Sequence, residues 1–141
     1  MEKAKFTYLM EVYEDQIPFN KFLGIKVRTL EKGISSLMVP FREELLGDKT
    51  RKTFHGGVIS MLITTCGSLS VWSMCSINDK IVTIDMRVDY IKPAYQGDLI
   101  AESRVIHVGN RIGRAHTVIF LENDPGNILV EGNSVYNIRR D

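Results

Sequence analysis

Between Lys52 and Asp79 the chain carries no charged side chain. A run that is apolar on nearly every side predicts a helix over about 56–77 buried on most of its faces. It is long enough to cross a bilayer. However, eight of the twenty residues from Val58 to Ile77 are Ser, Thr or Gly. Its far end also lacks a basic cluster, so the pattern favours a helix enclosed by protein over a membrane span.

Around that run, hydrophobic spacing predicts the other elements. Phe6, Leu9, Met10 and Tyr13 recur three and four apart, which predicts an N-terminal helix over about 3–16, ending before Pro18. Phe19 to Leu23 adds a short turn stopped by Gly24, with Phe19 and Phe22 read as core or as cleft lining. Gly24 to Leu30 alternates as a strand and turns at Glu31-Lys32-Gly33; Ile34 to Val39 returns. Phe41 to Phe54 reads as a loop, and a loop of that length in a compact domain is often functional. Beyond the helix, Val82, Ile84, Met86, Val88 and Tyr90 alternate with Thr83, Asp85, Arg87 and Asp89, the pattern of a half-buried strand. Leu99 to Val108, Ile112 to Glu122 and Ile128 to Ile138 complete the strands, joined by turns rich in Gly, Asn, Asp and Pro. Helix, two strands, buried helix and four strands leave few crossover helices. That order predicts an α+β fold of one domain over 1–141, a long central helix wrapped by a curved, mainly antiparallel sheet. Its exposed side favours pairing with a second copy.

Within the central helix, Ser60, Thr64, Gly67 and Ser68 fall on one narrow stripe at helical spacing, continued by Val71 and Cys75. Such a stripe fits close packing, with hydroxyls bonded back to the preceding turn. The helix alone favours that packing use over a polar track facing a substrate cleft. The helix start adds chemistry. His55-Gly56-Gly57 sits where the first backbone N–H groups have no helical partner. Two glycines allow a ligand close to those amides, and the helix dipole adds positive potential there. That combination suits a carbonyl oxygen that gains charge during attack. It also fits a tight turn in which His55 is only the cap.

Net charge of +1 disfavours a generic nucleic-acid binder. Cys66 and Cys75, the only cysteines, are nine residues apart on the predicted helix, about 13 Å, too far for a disulfide within it. A reducing, cytoplasmic setting is the simple expectation. The start, with Glu2, Lys3 and Lys5, lacks the apolar core of a signal peptide. His107 and His116 form no metal-ligand grouping with His55 or the cysteines, and neither metal nor cofactor is expected.

Phe54-His55-Gly56-Gly57-Val58-Ile59 entering a buried helix, followed by Val82-Thr83-Ile84-Asp85-Met86-Arg87-Val88-Asp89-Tyr90-Ile91-Lys92-Pro93-Ala94, resembles the hotdog-fold acyl-CoA thioesterases. Within them the chain is most similar to the phenylacetate-degradation type. Gly97 to Ala101 and Val108 to Gly113 fit the same pattern, and the resemblance covers about residues 20–138. It implies an acyl-CoA substrate and a homo-oligomer, a dimer or dimer of dimers, with active sites shared between subunits. It also implies that the Gly57 amide polarises the thioester carbonyl while His55 supports the loop. Gly56, Thr65 and Thr83 are expected to line the substrate, and Asn110, Arg111, Gly113 and Arg114 to hold the nucleotide end of coenzyme A. A solvated strand end accounts for Arg111 and Arg114 equally well.

At the helix position where the family usually carries Asp or Glu, this chain has Thr64. No carboxylate occurs from Lys49 to Asn78. A lone Thr hydroxyl is far too weakly basic to replace one. Three readings stay open. Asp48 activates water, with Thr64 and Ser68 orienting it; or a carboxylate such as Asp85 acts from another strand or subunit; or the chain binds acyl-CoA as a sensor without efficient hydrolysis. Hydratases and dehydratases of this fold need the same missing acid.

Overall fold

The computed structural model describes residues 2–140. The chain opens with α1 (Glu2–Glu11), whose last turn widens into a π-helical turn at Val12–Gln16 before α2 (Pro18–Leu23). Strands β1 (Lys26–Glu31) and β2 (Ile34–Val39) follow, then a small hairpin of β3 (Leu46–Asp48) and β4 (Thr53–Phe54). Helix α3 (Gly56–Trp72) leads to β5 (Lys80–Tyr90), β6 (Leu99–Val108), β7 (Ile112–Leu121) and β8 (Val130–Arg139).

Six strands form one sheet in the order β1-β2-β6-β7-β8-β5, every pairing antiparallel. The sheet curves around α3, as expected of the α+β architecture. Ile59, Leu62, Ile63, Cys66 and Leu69 of the helix pack with Leu37, Val39, Leu99, Ala101, Ile119 and Val130 of the sheet, all buried. Beyond them Val71, Ala115, Tyr136 and Ile138 form a second cluster. Gly67 makes this close approach feasible: a Cβ there would collide with the Tyr136 hydroxyl and with Ser134 Oγ. No helix among the described residues is long and apolar enough to cross a membrane.

The N-terminal segment closes over a flank of α3. Leu9 and Tyr13 are buried, and Phe6 and Met10 are half-buried against the core, as their spacing predicted. The Glu14 carboxylate accepts the Val27 N–H at 2.7 Å, and Lys5 Nζ donates to the Ser73 carbonyl at 3.0 Å.

Four expectations are corrected. The central helix stops at Trp72 rather than Ile77. Met74 and Cys75 bond three residues back instead of four, and the Ser76 N–H turns to the Asp79 carboxylate, so local side chains outcompete another helical turn. The segment 41–54 contains the β3–β4 hairpin and a 3₁₀ turn at Glu43–Leu45 rather than only loop. Phe19 and Phe22 stack on each other at the surface and line no core. Finally, β5 does not keep one phase. A bulge between Thr83 and Asp85 shifts the register, so Thr83 faces the helix with Met86, Val88 and Tyr90, while Val82 and Ile84 are about half exposed.

Candidate functional site

Helix α3 is enclosed except along one stripe. Gly57 is exposed, and Ser60, Met61, Thr64, Thr65, Ser68 and Trp72 are partly so, while the residues facing the sheet are buried. At about 100° per residue these seven lie on one side. This open track differs from the predicted stripe at its far end. Gly67 and Val71 pack against strands, and Cys75 lies past the helix.

At the start of the track, His55 is the N-cap, with extended backbone (φ −62°, ψ 132°). Its Nδ1 accepts the Gly57 N–H at 2.8 Å, which requires an unprotonated Nδ1. A Cβ on Gly57 would lie 2.8 Å from that nitrogen, so the ring sits over a glycine because little else fits beneath it. The His55 N–H bonds to the Leu45 carbonyl and the Phe54 N–H to the Ala94 carbonyl, both at 2.9 Å, anchoring the turn on both sides. The Tyr90 hydroxyl donates to the Gly56 carbonyl at 2.8 Å.

Further along, the Thr64 and Thr83 hydroxyls lie 2.7 Å apart. The Thr64 carbonyl accepts the Tyr136 hydroxyl at 2.7 Å. Thr65 Oγ1 donates to Met61 Sδ at 3.2 Å. Ser68 Oγ donates to the Thr65 carbonyl, so the Tyr13 phenol, 2.6 Å away, donates to Ser68. Burial pushes the Tyr13 phenol well up, more than the Ser68 hydrogen bond lowers it, and pushes Tyr136 up to about 12. Both are neutral donors at ordinary pH and supply no base. Burial likewise pushes the Cys66 thiol up to about 12, which removes it as a nucleophile.

The track ends at a cavity of about 360 Å³ lined by Tyr8, Tyr13, Ile17, Trp72, Ile77 and Ile81 together with the Asn78–Lys80 turn. A carbonyl carbon must sit about 3 Å from both its oxyanion donor and its attacking group. Gly57 and Thr64 are seven residues apart, about 10 Å along the helix axis. One copy of the chain therefore cannot apply both to the same carbonyl.

The other candidates sit apart from the track. Asp48 Oδ1 accepts the Thr50 and Arg51 N–H groups at 2.9 and 3.1 Å, and Oδ2 faces Arg51 Nε at 3.9 Å. Its carboxylate is engaged by its own hairpin turn. Asp85 is exposed and, by register opposite Val135, points away from α3. In the turn before β7, the Gly109 and Asn110 carbonyls accept Arg140, which also pairs with Asp79 at 2.9 Å. Arg111 and Arg114 are exposed, Arg114 on the sheet face remote from the helix. Gly113 is a packing position: a Cβ there would lie 2.7 Å from a Val71 methyl. Because Gly113 packs on Val71, this turn lies near the end of α3, about 20 Å along the axis from Gly57.

Sequence reasoning singled out neither Tyr90 nor Tyr136 as part of this arrangement. Tyr90 shares a strand face with Met86 and Val88, so strand phase carried the signal. Nothing in the sequence pairs Tyr136 with Thr64. Among the described residues no group of three or more His, Cys, Asp or Glu side chains is arranged to hold a metal.

Residues 52–126 match the family model described as the thioesterase superfamily. A Halobacterium salinarum protein that carries an esterase name is 36% identical over 110 residues, covering 76% of this chain and 72% of that protein. The medium/long-chain acyl-CoA thioesterase YigI of Escherichia coli is 28% identical over 125 residues, covering 79% of this chain and 81% of its own. A solved structure of a thioesterase-superfamily protein superimposes with a TM-score of 0.87 at 31% identity, covering 96% of this chain and 99% of that one.

Proposed function

Because the chain belongs to the thioesterase superfamily, we propose that it hydrolyses acyl-CoA thioesters of medium or long chain to the free acid and coenzyme A. The observation that carries this reading is the open track of α3, which carries an amide donor, a hydroxyl pair and, at its far end, a mainly apolar cavity. The thioester carbonyl oxygen displaces His55 Nδ1 from the Gly57 N–H and takes up that donor as its charge grows. Water held by the Thr64 and Thr83 hydroxyls of a second copy of the chain attacks the carbonyl carbon. As the tetrahedral intermediate collapses, the C–S bond breaks, and the departing thiolate takes up the proton that the water gives up. The acyl tail runs along Ser68 and Trp72 toward the Tyr8–Ile81 cavity. Medium- and long-chain tails suit that cavity, and the 28% likeness to YigI supports the same class.

The 10 Å between Gly57 and Thr64 supports a site assembled from two copies of the chain. β5 has one edge paired with β8 and the other unpaired among the described residues, and Val82 and Ile84 on this strand are exposed. Two-fold pairing of β5 edges would set the two α3 helices antiparallel and bring the partner's Thr64 and its Gly109–Arg111 turn toward this chain's Gly57. Arg111 then becomes the candidate for the nucleotide phosphates. Two free thiols suit a reducing cytoplasm.

The track carries no carboxylate, so hydrolysis without a strong base is slow. General-base help is typically worth about 10²–10⁴ in rate. The same gap favours the second reading, an acyl-CoA sensor on this fold. Free-thiol release from a panel of acyl-CoA thioesters decides between them. The proposal predicts turnover by the native protein that survives Asp48→Ala, since that carboxylate serves its own turn. Turnover that collapses in Asp48→Ala would make Asp48 the base. Tight binding with no turnover, and activity gained only in Thr64→Asp, would establish the sensor.

A further inference from the structure

The peptide unit between Gly56 and Gly57 is held at both of its ends. Its N–H, on Gly57, donates to His55 Nδ1 at 2.8 Å. Its carbonyl, on Gly56, accepts the Tyr90 hydroxyl at 2.8 Å. The Tyr90 ring lies against the bare face of Gly56, its hydroxyl 3.5 Å from where a Cβ would stand. With glycine on both sides, no Cβ resists rotation of this peptide plane, and only the helical hydrogen bond from the Ser60 N–H to the Gly56 carbonyl shares with His55 and Tyr90 the task of holding it. A rotated plane would turn the carbonyl oxygen, rather than the N–H, toward the mouth of the track, and an oxyanion there would meet a negative dipole end.

We infer that Tyr90 is a positioning residue that fixes the Gly56–Gly57 peptide with its N–H toward the substrate. Donation to the carbonyl oxygen has a second effect. Hydrogen bonds in sequence polarise one another, so the Gly57 N–H becomes a better donor when the carbonyl of its own peptide is engaged. His55 and Tyr90 divide the work. His55 holds the N–H in the resting state and gives way to the thioester carbonyl, while Tyr90 stays bonded throughout. A tie serving only to join β5 to α3 would be expected in the core, yet Tyr90 is 54% exposed. Removing its hydroxyl therefore acts on the peptide and hardly on the fold.

The kinetic consequence rests on the thioesterase reading, whereas the peptide's orientation does not. The test is Tyr90→Phe, which keeps the ring and deletes only the donor. We expect kcat to fall about tenfold, equivalent to about 1.4 kcal/mol, with KM within twofold and the melting temperature unchanged. We also expect the Gly57 amide resonance of ¹⁵N-labelled protein to shift and its hydrogen exchange to quicken. Native kcat together with an unmoved Gly57 amide would overturn the inference. So would a loss seen only as a lowered melting temperature. If the native protein cleaves no thioester, the thioesterase reading falls. The Gly57 resonance then decides the inference alone: displaced in Tyr90→Phe it stands, unmoved it fails.

Discussion

The two ends of α3 are built from the same small residues and behave in opposite ways. Toward the C-terminal end, hydroxyls are buried and each meets a partner. Ser70 donates to the Gly67 carbonyl and meets Ser103 Oγ at 3.1 Å. Ser73 donates to the Ser70 carbonyl and accepts the Gly33 N–H at 2.8 Å. Toward the N-terminal end, Gly57 is exposed and Ser60 and Thr64 are partly so, with Thr64 and Thr83 bonded mainly to each other. Small polar residues in one half let strands approach, and in the other they leave room for a ligand. Composition alone does not separate these uses. Burial and the identity of each partner do.

Gly67 and Gly57 give the sharpest contrast. Gly67→Ala drives a methyl into the Tyr136 hydroxyl and Ser134 Oγ. Overpacking of this kind costs about 3 kcal/mol, readable in urea unfolding, with the activity of the folded fraction retained. Gly57→Ala reverses the pattern. Its methyl displaces the His55 ring and crowds the donor, so kcat falls about 10²-fold while stability stays within about 0.5 kcal/mol. If both variants lost stability alone, the N-terminal half would be packing as well.

A smaller effect tests the far end of the track. Ile77 is 44% exposed at the cavity rim, so Ile77→Trp fills space at little cost to folding. Since each buried methylene is worth about 0.8 kcal/mol, kcat/KM for long-chain thioesters should fall about tenfold relative to short ones. An unchanged chain-length profile would remove the cavity from the substrate path. The smallest effect separates two serines. Ser70→Ala leaves the buried Ser103 hydroxyl without that partner and costs about 1 kcal/mol, whereas Ser60→Ala changes stability by under about 0.5 kcal/mol.

Much of the fold could be read from periodicity. Strand β8 alternates along its whole length and β7 along most of it, because one face packs on α3, and the helix start was marked by His55-Gly56-Gly57. The resemblance to hotdog thioesterases agrees with the family match. What resisted reading depends on contacts distant in sequence. The bulge at Thr83–Asp85 leaves no trace in an alternating pattern, yet it decides that Thr83 rather than Val82 meets the helix. The end of α3 is set by Ser76 and Asp79 competing for backbone groups. Asp48, expected on a loop as a candidate for activating water, is tied into a hairpin whose two strands total five residues, too short for an alternation signal. Tyr90 looked like one more apolar strand position until its hydroxyl met Gly56.

The most direct test of the account asks whether Gly57 and Thr64 act across two copies of the chain. Gly57→Ala and Thr64→Trp proteins, each impaired alone, are unfolded together, refolded as a mixture and assayed for thiol release from an acyl-CoA. A site built from one copy's Gly57 and its partner's Thr64 is restored once in each mixed dimer, which returns about a quarter of native activity when subunits pair at random. Activity no higher than that of the separate variants, with mixed dimers present by mass spectrometry, would contradict the shared site.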